Sequence, residues 1–417
     1  MRRRGMTIVL LGCIITGLCA CGRKNEAVTL QVVTEAVYKE QVSEAADYFR
    51  KKYEGVEVEV QVLPIEAKER EAKVQKLRTE TMSGKGPDVF LLQGDLPNRE
   101  ETESLFASLP KTMESGVFAG LDKYMEQDVY WEEGSYKKEF LKAGQFQGRQ
   151  YVIPLSCNYD VFAKTAEGTL LTAGTLTQWF ADAKAAEDEE LRQVIAAGTL
   201  MLTSPGLCQP AVDYEKKEVL FDKNAWCGIV EEQLEIYRKR IESDVVDTGK
   251  YFVGNIAQCN SYFTAGADYM EAIPSASGQR LATVDAYGAV GMGCKEKELA
   301  YEFLMLFLND KMVEKLGADY TRVKGMLGID GVPVQESAWK EYLGNYNLTD
   351  EAVYEKVLFS FQQLDGAYFS TVVERKMTNG VQEMVNRLRE LDDARLSQQL
   401  ALLAGQLEEQ YGTLVKE

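Results

Sequence analysis

The chain predicts an α/β fold in two domains, on three observations. Strand-like and helix-like stretches alternate from about residue 28; the hydrophobic content of 45% is ordinary for a globular protein; and 417 residues exceed what one core supports. The first element, "LQVVTEAV" from Leu30, is rich in β-branched residues and predicts a buried strand. "YKEQVSEAADYFRKKYEG" places Val42, Ala45, Ala46 and Phe49 at helical spacing, with Gly55 at the stop, which describes an amphipathic helix. "VEVEVQVL" alternates strictly, as a strand with one wetter face does. A second helix runs from about Glu66 to Met82, and "SGKGPD" then leads into the strand "VFLL". Strand, helix, strand, helix, strand predicts a parallel or mixed sheet covered by helices, with ligands beyond the carboxyl ends of the strands.

The glycines of "SGKGPDVF" are not those of a phosphate loop. Such a loop follows a strand and opens a helix, so that backbone amides and the helix N-terminus face the anion. Here Gly84 and Gly86 follow a helix and precede a strand, Lys85 has no serine or threonine after it, and Pro87 lacks an amide donor. They read as a helix stop, after which Pro87 forces extended geometry.

The N-terminus has another purpose. "MRRRGM" is basic, "TIVLLGCIITGL" is apolar but shorter than a comfortable membrane span, and small residues follow, so residues 1–20 read as an export signal and residues 21–27 as a tether. Leu18, Cys19, Ala20 and Cys21 resemble the bacterial lipobox, which implies cleavage before Cys21 and acylation there by palmitate-type chains. Two or three acyl chains hold a protein stably on a membrane. Removal of residues 1–20 takes away three arginines and no acids, so the net charge falls from −18 to −21. A chain so acidic does not seek nucleic acid or an anionic lipid surface by charge.

No histidine is present. Serine–histidine and cysteine–histidine nucleophilic systems, histidine zinc sites and a histidine general base are therefore excluded. Paired-carboxylate chemistry stays open, because 65 acids offer many pairs, and that abundance makes any one pair uninformative. Beyond Cys21 come Cys157, Cys208, Cys227, Cys259 and Cys294, an odd, widely spaced set that reads as scattered buried thiols. No cofactor or metal site is expected.

Segments spread along the chain resemble the extracellular solute-binding proteins, family 1, the receptors that serve ABC transporters of sugars. They are "SGKGPDVF", "FAGLDKYMEQD" from Phe118, "AGQFQGRQYVIPLSCNYDVF" from Ala143, "GNIAQCNSYF" from Gly254, "VDAYGAVGMGCKEKELAYEFLMLFLND" from Val284 and "GVPVQESA" from Gly331, in the family's order. Two departures are visible: Tyr262 stands where the family usually has tryptophan, and "DVFAKT" lacks the usual aromatic–asparagine pair.

The resemblance implies a periplasmic-binding-protein-like type II fold, two α/β lobes around a ligand cleft joined by three crossings, at residues 154–161, 285–290 and 331–334. Lobe 1 is expected at 28–157 and 288–332, lobe 2 at 158–287 and 333–417. Helical patterns after Ser337 are expected to pack on a lobe rather than form a coiled coil. Sugars are held by aromatic faces and planar polar side chains, so residues past strand ends and at crossings are the site candidates. By position they are Glu35, Tyr38, Gln93, Asp95, Asn158, Asp285 and Tyr287; the resemblance adds Tyr262 at the tryptophan-like position and Tyr368 and Phe369, in a segment similar to an aromatic stretch that some family members turn toward the cleft. Trp131, Trp179, Trp226 and Trp339 sit in helix-like or uncertain contexts and are expected to pack in a core or on the surface rather than at the site. The implied function is a lipid-anchored, monomeric, non-enzymatic receptor on the extracytoplasmic face of the cell membrane, which captures a small solute, a carbohydrate, and delivers it to an ABC permease. A carboxylate glycosidase, or a surface lipoprotein acting through protein contacts, are the alternatives.

Overall fold

The computed structural model describes residues 28–95, 103–133, 135–171, 174–202, 206–242, 248–308 and 331–416. The export signal, Cys21 and the tether lie outside them. The first five elements fall where periodicity places them: β1 (Val28–Glu35), α1 (Lys39–Lys52), β2 (Val56–Leu63), α2 (Ala67–Met82) and β3 (Val89–Gln93). In α1 the spaced apolar residues Val42, Ala45, Ala46 and Phe49 are the buried ones. Glu66 caps α2 by accepting the Glu69 amide at 2.8 Å.

The "SGKGPD" turn ends α2 as a Schellman motif. Gly84 has φ +71°, its N–H reaches the Thr81 carbonyl, and the Lys85 N–H reaches that of Glu80. Asp88 then ties β3 to β1. Its N–H donates to the Gln31 carbonyl at 2.7 Å and its Oδ2 accepts the Gln31 amide at 2.8 Å.

After α3 (Leu109–Glu114) come β4 (Val152–Asn158) and β5 (Asp160–Lys164), then α4 (Leu176–Ala185), α5 (Glu189–Leu202) and α6 (Lys223–Glu242). Next are β6 (Tyr251–Asn255), α7 (Cys259–Thr264), β7 (Tyr269–Ala272), β8 (Leu281–Val290) and α8 (Lys297–Met305). The chain closes with β9 (Val332–Pro333), α9 (Glu351–Gln362), β10 (Gly366–Tyr368), α10 (Val372–Asn386) and α11 (Asp393–Lys416).

The strands form two principal sheets. The 7-stranded sheet runs β9-β4-β8-β3-β1-β2, with β10 beside the start of β8. It is mixed, as strand–helix alternation allows: β1 pairs parallel with β2 and β3, while β8 is antiparallel to β3 and β4. The second sheet is three antiparallel strands, β6-β5-β7. The three expected crossings bring the chain to β4, β8 and β9, which lie side by side in the large sheet.

Helices α4 and α5 cover the small sheet, with Trp179, Phe180 and Ile195 packed against Phe162 and Tyr251. Helices α6, α10 and α11 extend that body around Trp226, Leu234, Met377, Leu400 and Tyr411, so the terminal helices pack on a lobe. On one side the core is shared: Val32 and Leu91 of the large sheet and Val161 and Met270 of the small one join a single apolar cluster that includes Val357 and Phe361 of α9. All four tryptophans are buried, and the five described cysteines are free thiols.

Candidate functional site

The carboxyl ends of β1 and β3 open on a small recess of about 110 Å³. Its walls include Glu35, Gln93, Asp95, Tyr287, Phe369 and Arg375. Each is placed by a local cause. Glu35 is the last residue of β1 and is gripped by Arg70 of α2, whose Nη1 and Nη2 donate to its two carboxylate oxygens at 2.8 and 3.0 Å. Arg70 also donates to the Glu103 and Pro64 carbonyls, and Arg78 donates to those of Ser104 and Leu105, so α2 holds the 103–105 segment over the recess. Gln93 ends β3, and Gly94 turns the chain. The Gly94 N–H donates to the Asp285 carbonyl at 2.6 Å, and a Cβ there would lie 2.0 Å from the Val284 carbonyl oxygen, so no other residue fits without movement.

Asp95 meets Arg375, in the first turn of α10. That turn is fixed by a capping box between Thr371 and Glu374. Glu374 is 2% exposed, and its remaining carboxylate oxygen accepts from Gln209 Nε2 at 2.9 Å and the Tyr411 hydroxyl at 2.8 Å. The neighbouring guanidinium is thereby delivered to Asp95 as a nearly buried ion pair. Burial pulls the Arg375 pKa below its ordinary value. Three polar atoms around the recess, Gln93 Nε2, Ser370 Oγ and Arg375 Nε, are buried without a hydrogen-bond partner among the described residues. All three are able to donate. Tyr287 and Phe369 meet edge to face with centroids 5.4 Å apart.

Of the ten expected site residues, Glu35, Gln93, Asp95, Tyr287 and Phe369 come together here. Asn158 and Tyr368 stand on a neighbouring patch. The Asn158 side-chain oxygen accepts from Asn255, beside Asp160, whose carboxyl is pushed up to about 6 by burial. Burial likewise raises the Tyr368 phenol, which bonds Thr283 and lies within reach of the charges of both Glu374 and Asp160. Three expectations are corrected. Tyr38 is 1% exposed inside the core against α1, because the short turn after β1 folds it under the helix. Asp285 is fully buried at a register shift of β8, where it accepts from Ser156 Oγ at 3.2 Å. Tyr262 packs in the core against Gly254, its hydroxyl donating to Gln258 and the Asn255 carbonyl, rather than offering a face to solvent.

Sequence reasoning missed Arg375, Ser370 and the bracing Arg70. A signal for Arg375 was present: "STVVER" carries the T-x-x-E capping box that sets its turn. A larger cavity of about 900 Å³ adjoins the recess and shares Arg78, Leu105, Phe106, Ala107 and Val372 with it. It runs beside the amino end of β3, along Gly84, Gly86 and Pro87, and is lined mainly by apolar groups. The recess is the stronger site because it sits at strand carboxyl ends and holds unpartnered polar atoms. Among the described residues no three Cys, Asp or Glu side chains converge as a metal site.

No protein-family model matches the sequence, and no curated protein does. Solved structures do match. An extracellular solute-binding protein family 1 from Alicyclobacillus acidocaldarius superposes with a TM-score of 0.58 at 14% identity, over 94% of this chain and 99% of its own. A periplasmic oligogalacturonide binding protein from Yersinia enterocolitica gives 0.59 at 15%, over 93% and 99%. A de novo designed cysteine esterase gives 0.58 at 16%, over 94% and 98%. At such identities the likeness is one of fold. The fold is that of the periplasmic solute-binding proteins, two α/β lobes around a cleft.

Proposed function

We propose that the chain is a lipid-anchored receptor on the extracytoplasmic face of a cell membrane, which captures a small carbohydrate between its lobes and delivers it to the permease of an ABC importer. The observation that carries the reading is the recess at the ends of β1 and β3, lined by aromatic residues and by residues that carry unpartnered donors. Hydroxyl-rich solutes answer both: their apolar faces rest on rings, and their oxygens accept from buried donors. Among the described residues the three carboxylates that line the recess, Glu35, Asp95 and Glu103, are each held by an arginine, which suits a binding surface better than a proton-transferring pair. The sugar that the Yersinia neighbour is named for is in keeping with this class of solute. At about 110 Å³ the recess is smaller than the cavities that take small molecules, roughly 300 Å³ and upward, so capture requires the lobes to part.

The test is a thermal-shift screen of the chain lacking residues 1–21 against neutral, acidic and amino saccharides, amino acids and peptides. A solute at about 100 times its Kd stabilises the native state by roughly 2.7 kcal/mol. Stabilisation by saccharides alone supports the reading. Stabilisation only by other classes, or by no solute at all, refutes it.

A further inference from the structure

The contacts that bind the two bodies across the recess differ in depth. At the periphery, Lys217 pairs with Glu114 at 3.5 Å, and Lys111 Nζ lies 3.5 Å from both the Val415 carbonyl and Glu114. Solvated contacts of this kind contribute little and are screened by salt. The Asp95–Arg375 pair is different, with side-chain exposures of 18% and 9%. One partner follows β3 of the large sheet; the other stands on α10, which packs with α6 and α11 on the opposite body.

When such a pair loses one member, the remaining charge is buried without compensation, a far larger effect than the net worth of the pair itself. Closure of the recess is thus opposed whenever one of the two charges is present without the other. Among the described residues the charges around it pair off: Glu35 with Arg70, Glu103 with Arg78, Asp95 with Arg375. A solute with a net charge upsets that balance in the closed state, whereas an uncharged one only fills the donors of Gln93, Ser370 and Arg375.

We infer that Asp95 and Arg375 are the specificity-determining pair of the cleft: closure fails when either charge stands alone, and through them the cleft selects solutes without net charge. The inference rests on the receptor reading for its second half only. Its first half is read on the ligand-free protein, by the radius of gyration from small-angle scattering. Asp95→Asn and Arg375→Met each strand one charge, so each lowers the closed population by more than about tenfold and expands the molecule. The double variant Asp95→Asn, Arg375→Met strands none and returns to wild-type dimensions.

Singles that keep the wild-type radius, or a double variant as expanded as either single, overturn the inference. Circular dichroism shows whether each variant is folded. Where a single variant is not, the charge-reversed pair Asp95→Arg, Arg375→Asp replaces it: wild-type dimensions support the pair and expansion overturns it. The saccharide screen reads the second half. Greatest stabilisation by a neutral sugar supports it, and greatest stabilisation by a uronate or an amino sugar overturns it. A screen in which nothing binds fails the receptor reading and leaves the scattering result to decide the pair.

Discussion

Replacing Arg70 by methionine tests whether the recess is braced as described. Both partners of the Glu35–Arg70 pair have side chains only 8% exposed, so the carboxylate is poorly hydrated when the guanidinium is gone. The variant loses both charge-assisted bonds to Glu35 and the donors to the Glu103 and Pro64 carbonyls. An abandoned buried charge costs about 3 to 5 kcal/mol. With a urea slope of about 3 kcal/mol per molar, the midpoint falls by roughly 1 to 1.7 M. The double variant Glu35→Met, Arg70→Met removes the stranded charge and recovers most of that loss, since well-packed apolar replacements of buried pairs are often neutral. Urea unfolding followed by circular dichroism reads all three proteins. A loss below about 1 kcal/mol in the single variant, or a double no more stable than the single, refutes the reasoning.

Three further outcomes are expected. Asp160 titrates at about 6 in the folded chain against an ordinary carboxyl value of 3.8, so the folded state holds its proton more tightly and wild-type stability falls as pH rises from about 4 to about 6. Asp160→Asn removes that fall and is the more stable protein at pH 7, by up to about 3 kcal/mol; parallel melting profiles of the two proteins between pH 4 and 8 contradict this. Gly94→Ala forces a methyl onto the Val284 carbonyl, so it destabilises by about 1 to 3 kcal/mol and displaces Asp95, and an unchanged melting temperature counts against the close approach. Phe369→Ala, at the mouth of the recess, weakens binding of any sugar found in the screen about tenfold while leaving the fold intact; equal affinity by calorimetry removes the ring from the site.

The β1-α1-β2-α2-β3 run was legible because its signals are local. Alternation, helical spacing and a Gly-Pro stop act within a few residues, and the ligand rule for strand carboxyl ends then pointed to Glu35, Gln93 and Asp95. Aromatic candidates fared unevenly for a physical reason. A tyrosine packed under a helix and a tyrosine beside a cleft leave the same trace in sequence: Tyr38, Tyr262 and Tyr287 are all buried in cores, and of the three Tyr287 alone also lines the recess, beside the partly buried Phe369. Position at a crossing makes Asp285 a site candidate, but a strand between two partners buries its polar side chain when Ser156 can bond it. Arg375 was hidden because its meaning depends on Asp95, remote in sequence, and on Glu374, whose other partners, Gln209 and Tyr411, come from separate segments.

The place of β8 has a kinetic consequence. It lies between β3 and β4, yet in sequence it follows every strand of the small sheet. Until it arrives, "VFLL" of β3 lacks one neighbour and "VIPLSC" of β4 lacks both, although these are among the most apolar stretches of the sheet. Sheet closure must then wait for a long-range step that brings together strands distant in sequence, and such steps are slow. In that interval two hydrophobic edges stand open to other copies of the chain. Refolding yield should fall with protein concentration for this reason, and the vulnerable surface is one that the finished molecule never displays.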